Sequence, residues 1–335
     1  RSSSSAASDV YKRQVQNSNS RFTVTQSTDT PDGFGNSLKI DCTTADTSLA
    51  SNEEVQFQQK IEGFNTQDFA KGTSSAKQYT LSFYVKTTKT GTYIVNLLGR
   101  DNTTSDVAAS YTVSDTNWNR YTITFPADTN TNRTDNNDNG EALRVVWWLV
   151  AGSAVTSGDL GTTWANSSDA GRATGQVNFA DSTSNDFFIT GCQLEVGSVA
   201  TDFEHLSFGE DLHKCQRYYA RFGANAGGAG LNFSQGELYG QGLVDNDGTI
   251  CEIQIRFPRT LRAEPTAVEQ FGSADRYQVR RDTTLTCTSV PTFNSATVYS
   301  ASIGFHKSSH GWSTGQVANG LSAGSDSFLG FSAEL

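Results

Sequence analysis

KQYTLSFYVKTTKTGTYIVNL, residues 77–97, decides the fold class. Tyr79, Leu81, Phe83 and Val85 alternate with Thr80, Ser82, Tyr84 and Lys86. That period of two belongs to a half-buried strand, because successive side chains leave opposite faces of the pleat. Gly91, after Lys89-Thr90, marks a tight turn, and Thr92–Leu98 resumes strand composition. Outward from this stretch, Glu54–Ile61 repeats the pattern, with Val55, Phe57 and Ile61 against Gln56, Gln58 and Lys60. Ser37–Asp41, Ala108–Val113, Trp118–Phe125, Ala142–Val150 and Phe187–Glu195 are further strand candidates. Many short strands separated by polar turns predict an all-β chain beginning with an antiparallel sandwich.

Ser207–Phe222 reads differently. Ser207 and Glu210 fit a capping box, and Phe208, Leu212, Cys215 and Tyr219 follow at helical spacing. GANAGGAG from Gly223 ends this helix. Beyond it, Cys251, Ile253, Ile255 and Phe257 alternate with Glu252, Gln254 and Arg256 after a DNDG hairpin signal at 245–248. Val298–Phe305 and Ser327–Leu335 are later strands, the last carrying Leu329, Phe331, Ala333 and Leu335 on one face. The expected organisation is a sandwich over 15–205, a linking helix over 206–222 and a C-terminal β-sandwich-like domain over 223–335. Residues 1–14 resemble translated sequencing-adapter read-through and are expected to be disordered or arbitrarily placed; without a Met, the chain is read as starting inside its reading frame.

With 36% hydrophobic and 11% aromatic residues, the 335-residue chain has material for two cores. A net charge of −10 argues against nucleic acid, whose binding is driven by cations neutralising phosphate. No stretch approaches the ~20 apolar residues of a membrane helix, so membrane insertion is not expected. The five cysteines, Cys42, Cys192, Cys215, Cys251 and Cys287, lack C-x-x-C spacing and read as buried free thiols. A Cys42–Cys192 bridge between first and last strands is left open by spacing alone.

The stretches GNSLKIDCTTADTS (35–48), KQYTLSFYVKTTKTGTYIVNL (77–97), NWNRYTITFPAD (117–128), WWLVAGS (147–153), ITGCQLEVGSVATDFEH (189–205) and SFGEDLHKCQRYYARF (207–222) resemble a family of virion-associated proteins of marine phages. The tail, with RFPRTLRAEPTAV (256–268) and the terminal FSAEL, resembles the C-terminal domain that follows such helices in phage fibres. The block up to about 205 is also similar in pattern to jelly-roll carbohydrate-binding modules, through its strand order, the W-x-x-Y-x-x-x-F strand (118–125) and the closing QLE-G strand (193–197). The resemblance implies a tail fibre or decoration protein of the virion. It would be a homotrimer among other virion proteins, with a host cell-surface glycan as partner.

Sugar contact needs exposed aromatic faces with polar side chains beside them. On Ala142–Val150, Leu143, Val145, Trp147 and Leu149 share one face, and Arg144, Val146, Trp148 and Val150 the other. Trp148 beside Arg144 is therefore expected outward, and Tyr84 sits on the polar face of its strand with Asn96 and Gln58 as polar neighbours. Trp164, in the long polar insertion LGTTWANSSDAGRATG, either contacts ligand or staples the loop. In FHKSSHGWSTG, His306, His310 and Trp312 form a loop cluster suited to receptor contact. DNNDNGE (135–141) imitates a calcium loop through Asp135, Asn137, Asn139 and Gly140, but the twelfth position is Val146 and not Glu. An EF-hand fails and a looser calcium site stays open; no other cofactor or metal is expected. The chain lacks G-x-S-x-G, H-E-x-x-H and P-loop motifs and any β-helical repeat, so a catalytic role is not expected. A pure virion scaffold and a polysaccharide-degrading tail enzyme are the competing readings.

Overall fold

The computed structural model describes residues 2–3, 21–223, 238–245, 248–309, 311–323 and 327–334. The chain divides into two compact units between Asp211 and Leu212. The first contains β1 (Ser2–Ser3), β2 (Phe22–Ser27), β3 (Ser37–Cys42), β4 (Glu54–Glu62), β5 (Tyr79–Thr87), β6 (Gly91–Gly99) and β7 (Ser105–Val113). β8 (Asn119–Phe125), β9 (Glu141–Ala151), β10 (Ala165–Asn166) and β11 (Asp186–Val196) complete it. One sheet runs β2-β3-β11-β5-β8, with β1 beside β11, and the other runs β10-β7-β6-β9-β4. Every pairing is antiparallel, as a jelly-roll sandwich requires. The turn before Gly91 carries the chain from one sheet to the other, so β5 and β6 face each other across the core instead of pairing.

The alternation in 77–97 explains that core. Tyr79, Leu81, Phe83 and Val85 are at most 1% exposed and meet Phe57, Tyr93, Val95, Tyr111, Val145 and Trp147 of the opposite sheet. Phe83 stands edge-on to Trp147, with ring centroids 5.7 Å apart. Each such side chain contributes about 1.5–3 kcal/mol on burial, which holds the sheets face to face.

Parity on β9 separates the two tryptophans as expected, but the outer face is not free. The segment after β9, with α1 (Ser153–Thr156) and the 3-10 turn Asp169–Gly171, lies over the outer side of β6 and β9. It buries Trp148 completely, with Ile94, Leu98, Ala108, Val146, Val155 and Ala173. Trp148 is therefore not outward. Period-two reading gives the face of a strand but not whether the loop that follows folds back to cover it.

The thiols follow the buried reading: no disulfide joins any of the five, and four are buried. Cys42 sits opposite Asn185, whose carbonyl accepts its N–H at 3.0 Å, while Cys192 lies seven residues further along β11. At about 3.3 Å per residue that is roughly 20 Å, so the Cys42–Cys192 bridge does not form. Of residues 1–14, Ser2–Ser3 pairs with Gln193–Leu194, and the others lie outside the described residues.

The helix α2 spans Phe208–Gln216, shorter than expected. Its capping box forms: the Ser207 hydroxyl accepts the Glu210 N–H at 3.4 Å, and the Glu210 carboxylate accepts the Ser207 N–H at 3.1 Å. Tyr219–Gly223 is not helical but forms β12, because Ala220 is buried in the second core and the strand pairs with the chain's end. The second unit adds β13 (Leu238–Val244), β14 (Ile250–Arg256), β15 (Glu269–Phe271), β16 (Tyr277–Arg280), β17 (Thr284–Thr286), β18 (Thr292–Ala296), β19 (Ser300–His306), β20 (Val317–Ser322) and β21 (Phe328–Ser332). Its sheets run β12-β21-β15 and β17-β16-β20-β13-β14-β19-β18. Along β14, Cys251, Ile253 and Ile255 are buried and Glu252, Gln254 and Arg256 exposed. In the preceding hairpin the Asp245 carboxylate accepts the Thr249 and Ile250 N–H groups, and Gly248 takes φ 68°; Asn246 and Asp247 lie outside the described residues. Leu329, Phe331 and Ala333 are buried as expected, and Leu335 lies outside the described residues.

Candidate functional site

The proposed site residues do not gather in one place. Tyr84 belongs to the sheet of β5, whereas Gln58, Asn96, Arg144 and Trp148 belong to the opposite one. Hydrogen bonds tie these four to other residues of the same sheet or its edge. The Trp148 indole N–H donates to Asn96 Oδ1 at 2.5 Å. Arg144 donates to Gln58 Oε1 at 3.1 Å and to the Glu141 carboxylate at 2.5 and 2.8 Å. Gln58 then donates to Gln56 at 2.6 Å. These contacts are made within the protein, and Gln58, Asn96 and Trp148 are buried, so those three present no surface to a sugar.

Trp164 takes the stapling role. Its N–H donates to the Pro126 carbonyl at 2.8 Å, and its ring lies 6.1 Å from that of Tyr79. Beneath it, Lys71 Nζ stands 3.6 Å from Asp128 and 3.5 Å from Asp135 and donates to the Arg133 carbonyl. Asp135, the first position of the imitated calcium loop, thus points inward, and burial pushes its carboxyl up to about 6. The Asp138 carboxylate is turned onto the Gly140 N–H at 2.8 Å. An ammonium fills the place a cation would take, and among the described residues no cluster of His, Cys, Asp and Glu is arranged for a metal. In the second unit, His306 Nε2 lies 2.8 Å from Thr292 Oγ1 and Trp312 packs partly against the core; His310 lies outside the described residues.

The outer face around Tyr84 is the strongest candidate. Register sets its rows. Lys39 of β3, Phe188 of β11 and Lys86 of β5 lie side by side, with Trp118 just before β8 at the same level. Both ammonium groups lie over the Phe188 ring, at 5.7 and 5.8 Å. The half-buried Trp118 meets Phe188 at 6.3 Å and donates its N–H to Asp29 Oδ1 at 2.9 Å, while Lys86 donates to Asp29 Oδ2 at 2.7 Å. These two donors, Lys86 first, hold the Asp29 carboxyl below the usual carboxylate range. The next row, about 7 Å along the strands, is Thr190, Tyr84 and Arg120. The Arg120 guanidinium is 5.9 Å from the Tyr84 ring.

A β-bulge in β11 brings loop aromatics onto this row. Gly191 takes φ 59°, and a Cβ there would stand 2.7 Å from Phe34 Cζ and 3.0 Å from Tyr84 Cδ2. Without a side chain, the bulge lets Phe34 settle 5.2 Å from the rings of Tyr84, Phe203 and His205. The segment after β11 is tied back by Gln193 and Glu195. Gln193 Oε1 accepts the Glu204 N–H at 2.8 Å, and Glu195 accepts the Thr201 hydroxyl at 2.6 Å. Phe34, Tyr84, Trp118 and Phe203 all stay half-buried, and His205 is exposed. Apart from Tyr84, sequence reasoning does not single these out as site residues: Phe34 and Phe203 sit in loops with no period, and Trp118 reads only as the start of a strand. The cue that was present is Gly191 interrupting the strand Asp186–Val196.

No family model matches the chain, and no curated protein matches it. Among solved structures it is similar to one titled Family 16 Carbohydrate Binding Module-2, at 13% identity over 53% of this chain and 88% of that one, with TM-score 0.26. It is similar to the CBM22-2 xylan-binding domain from Paenibacillus barcinonensis at 10% identity over 57% and 95%, with TM-score 0.32. A family 11 carbohydrate-binding module of Clostridium thermocellum gives 11% identity over 54% and 84%, with TM-score 0.29. Likeness this remote assigns no ligand to this chain.

Proposed function

We propose that the first unit is a non-catalytic sugar-contacting sandwich that uses the outer face of the β2-β3-β11-β5-β8 sheet. The observation that carries this reading is the run of half-buried rings, Trp118, Tyr84 and Phe34, flanked by Lys39, Lys86, Arg120 and Asp29. Rings held with one face toward solvent can stack on sugar C–H groups, and the flanking charges can read hydroxyls. Hydrogen bonds to Asp29 and the bulge at Gly191 fix the rings in advance, which lowers the entropy lost on binding. Host-surface attachment from a virion, by a homotrimer that multiplies weak single-site contacts, is part of this proposal; it rests on the sequence resemblance. The test is a glycan array with wild type and a Tyr84→Ala/Trp118→Ala variant. Loss of signal in the variant supports the reading. Unchanged signal, or no signal from wild type in any oligomeric state, favours a scaffold role.

A further inference from the structure

The second unit carries a groove of about 670 Å3 at one end of β14 and β19. This is within the roughly 300–1,000 Å3 typical of ligand sites. One wall is the tight turn between β18 and β19, where the Thr297 hydroxyl accepts the Tyr299 N–H at 3.1 Å. The other is the Pro258–Thr260 stretch. Backbone bonds from Phe257 to the Tyr299 carbonyl and from Leu261 to the Val298 carbonyl, both 2.9 Å, join the walls. Phe257 and Leu261 are buried anchors at 9% and 1% exposure, so the exposed residues between them sit on a fixed frame.

What this frame displays is unusual for a chain of net charge −10. Arg256 and Arg259 line the groove, and none of its nine lining residues is acidic. The Arg256 backbone belongs to the β14–β19 ladder, and its side chain makes no ion pair or hydrogen bond among the described residues. Arg259 rests against the His213 ring, with Nη2 2.8 Å from Nδ1. Tyr299 beside them is 66% exposed. Screening limits the opposing field of the distant carboxylates to about 8 Å at physiological salt, so the local arginines set the sign of the site.

We propose that this groove binds a carboxylate-bearing polysaccharide. The planar guanidinium of Arg256 matches a uronate carboxylate with two parallel N–H donors, and the Tyr299 ring takes the adjacent sugar face. Gln254 and Thr297 supply hydroxyl-reading groups on either side. The site is separate from the aromatic face of the first unit and does not depend on that reading.

Affinity electrophoresis of the full chain through gels holding polygalacturonate, dextran sulfate or neutral dextran tests it. Polygalacturonate should retard wild type, and Arg256→Ala or Tyr299→Ala should weaken that retardation at least fivefold, with unchanged melting temperatures. Arg256→Lys should fail to restore it, because an ammonium keeps the charge and loses the fork. Retardation by polygalacturonate that survives Arg256→Ala with Tyr299→Ala would overturn the proposal. So would full retardation of Arg256→Lys by polygalacturonate together with equal retardation by dextran sulfate, the signature of bare charge. Trp118→Ala should leave polygalacturonate retardation intact, which separates a failure here from a failure of the first-unit reading.

Discussion

Replacing Trp148 by Phe should destabilise the first unit and leave sugar contact alone. The indole N–H is the donor to Asn96 Oδ1 at 2.5 Å, and both residues are 0% exposed. Losing that donor strands a buried acceptor, at a cost of about 1–3 kcal/mol. The smaller ring also leaves roughly 35 Å3 unfilled, worth about 1 kcal/mol if the covering segment does not collapse. The sum, about 2–4 kcal/mol, corresponds to roughly 10 °C in melting temperature for a unit of this size. Calorimetry should show that loss, and an Asn96→Leu/Trp148→Phe double variant should lose at least about 1 kcal/mol less than the two single losses combined, since removing both polar partners relieves the stranded acceptor. A Trp148→Phe protein that melts within about 2 °C of wild type, or strictly additive losses, would refute the burial of this pair under the α1 segment.

Asp135 gives a pH signature. Its carboxyl is pushed up to about 6 from 3.8 by burial, so between those values the folded protein binds more protons than the unfolded chain. Its contribution to stability therefore falls as pH rises from about 4 to 6, by up to about 3 kcal/mol. Urea midpoints of Asp135→Asn should gain on wild type across that window; a difference independent of pH would contradict the assignment. Burial raises the thiols of Cys251 to about 11 and Cys287 to about 12. Alkylation at pH 8 should therefore modify the half-buried Cys215 first and reach these two only on unfolding, as read by peptide mass mapping. Gly191→Ala should cost at least about 1–2 kcal/mol, because alanine resists a φ of 59° and its Cβ would displace Phe34; an unchanged melting temperature would remove the bulge from the account.

The sandwich was legible because its strands carry their burial in local alternation, and Tyr79 to Val85 point where period two sends them. The site was not. Trp148 and Tyr84 look alike on paper, each an aromatic on the polar face of a strand, yet Trp148 is covered by residues 152–176 and Tyr84 is not. Burial there depends on the irregular segment after β9 folding back over β6 and β9, and that leaves no period to count. Helix α2 shows a similar limit: the capping box is local and formed as read, whereas its end is set by strand pairing of Tyr219–Gly223 with Phe328–Ser332. Trp118 and Phe34 acquire meaning only through Asp29 and Gly191, partners that are close in the fold and distant in sequence.

Fluorine NMR of protein labelled with 5-fluorotryptophan tests the central claim most directly, because the chain has five tryptophans at distinct places in the fold. Titrated with a glycan that scores on the array, the Trp118 resonance, assigned through Trp118→Phe, should move in a saturable way while those of Trp147 and Trp148 stay fixed. A shift at Trp148 with none at Trp118 would contradict the account.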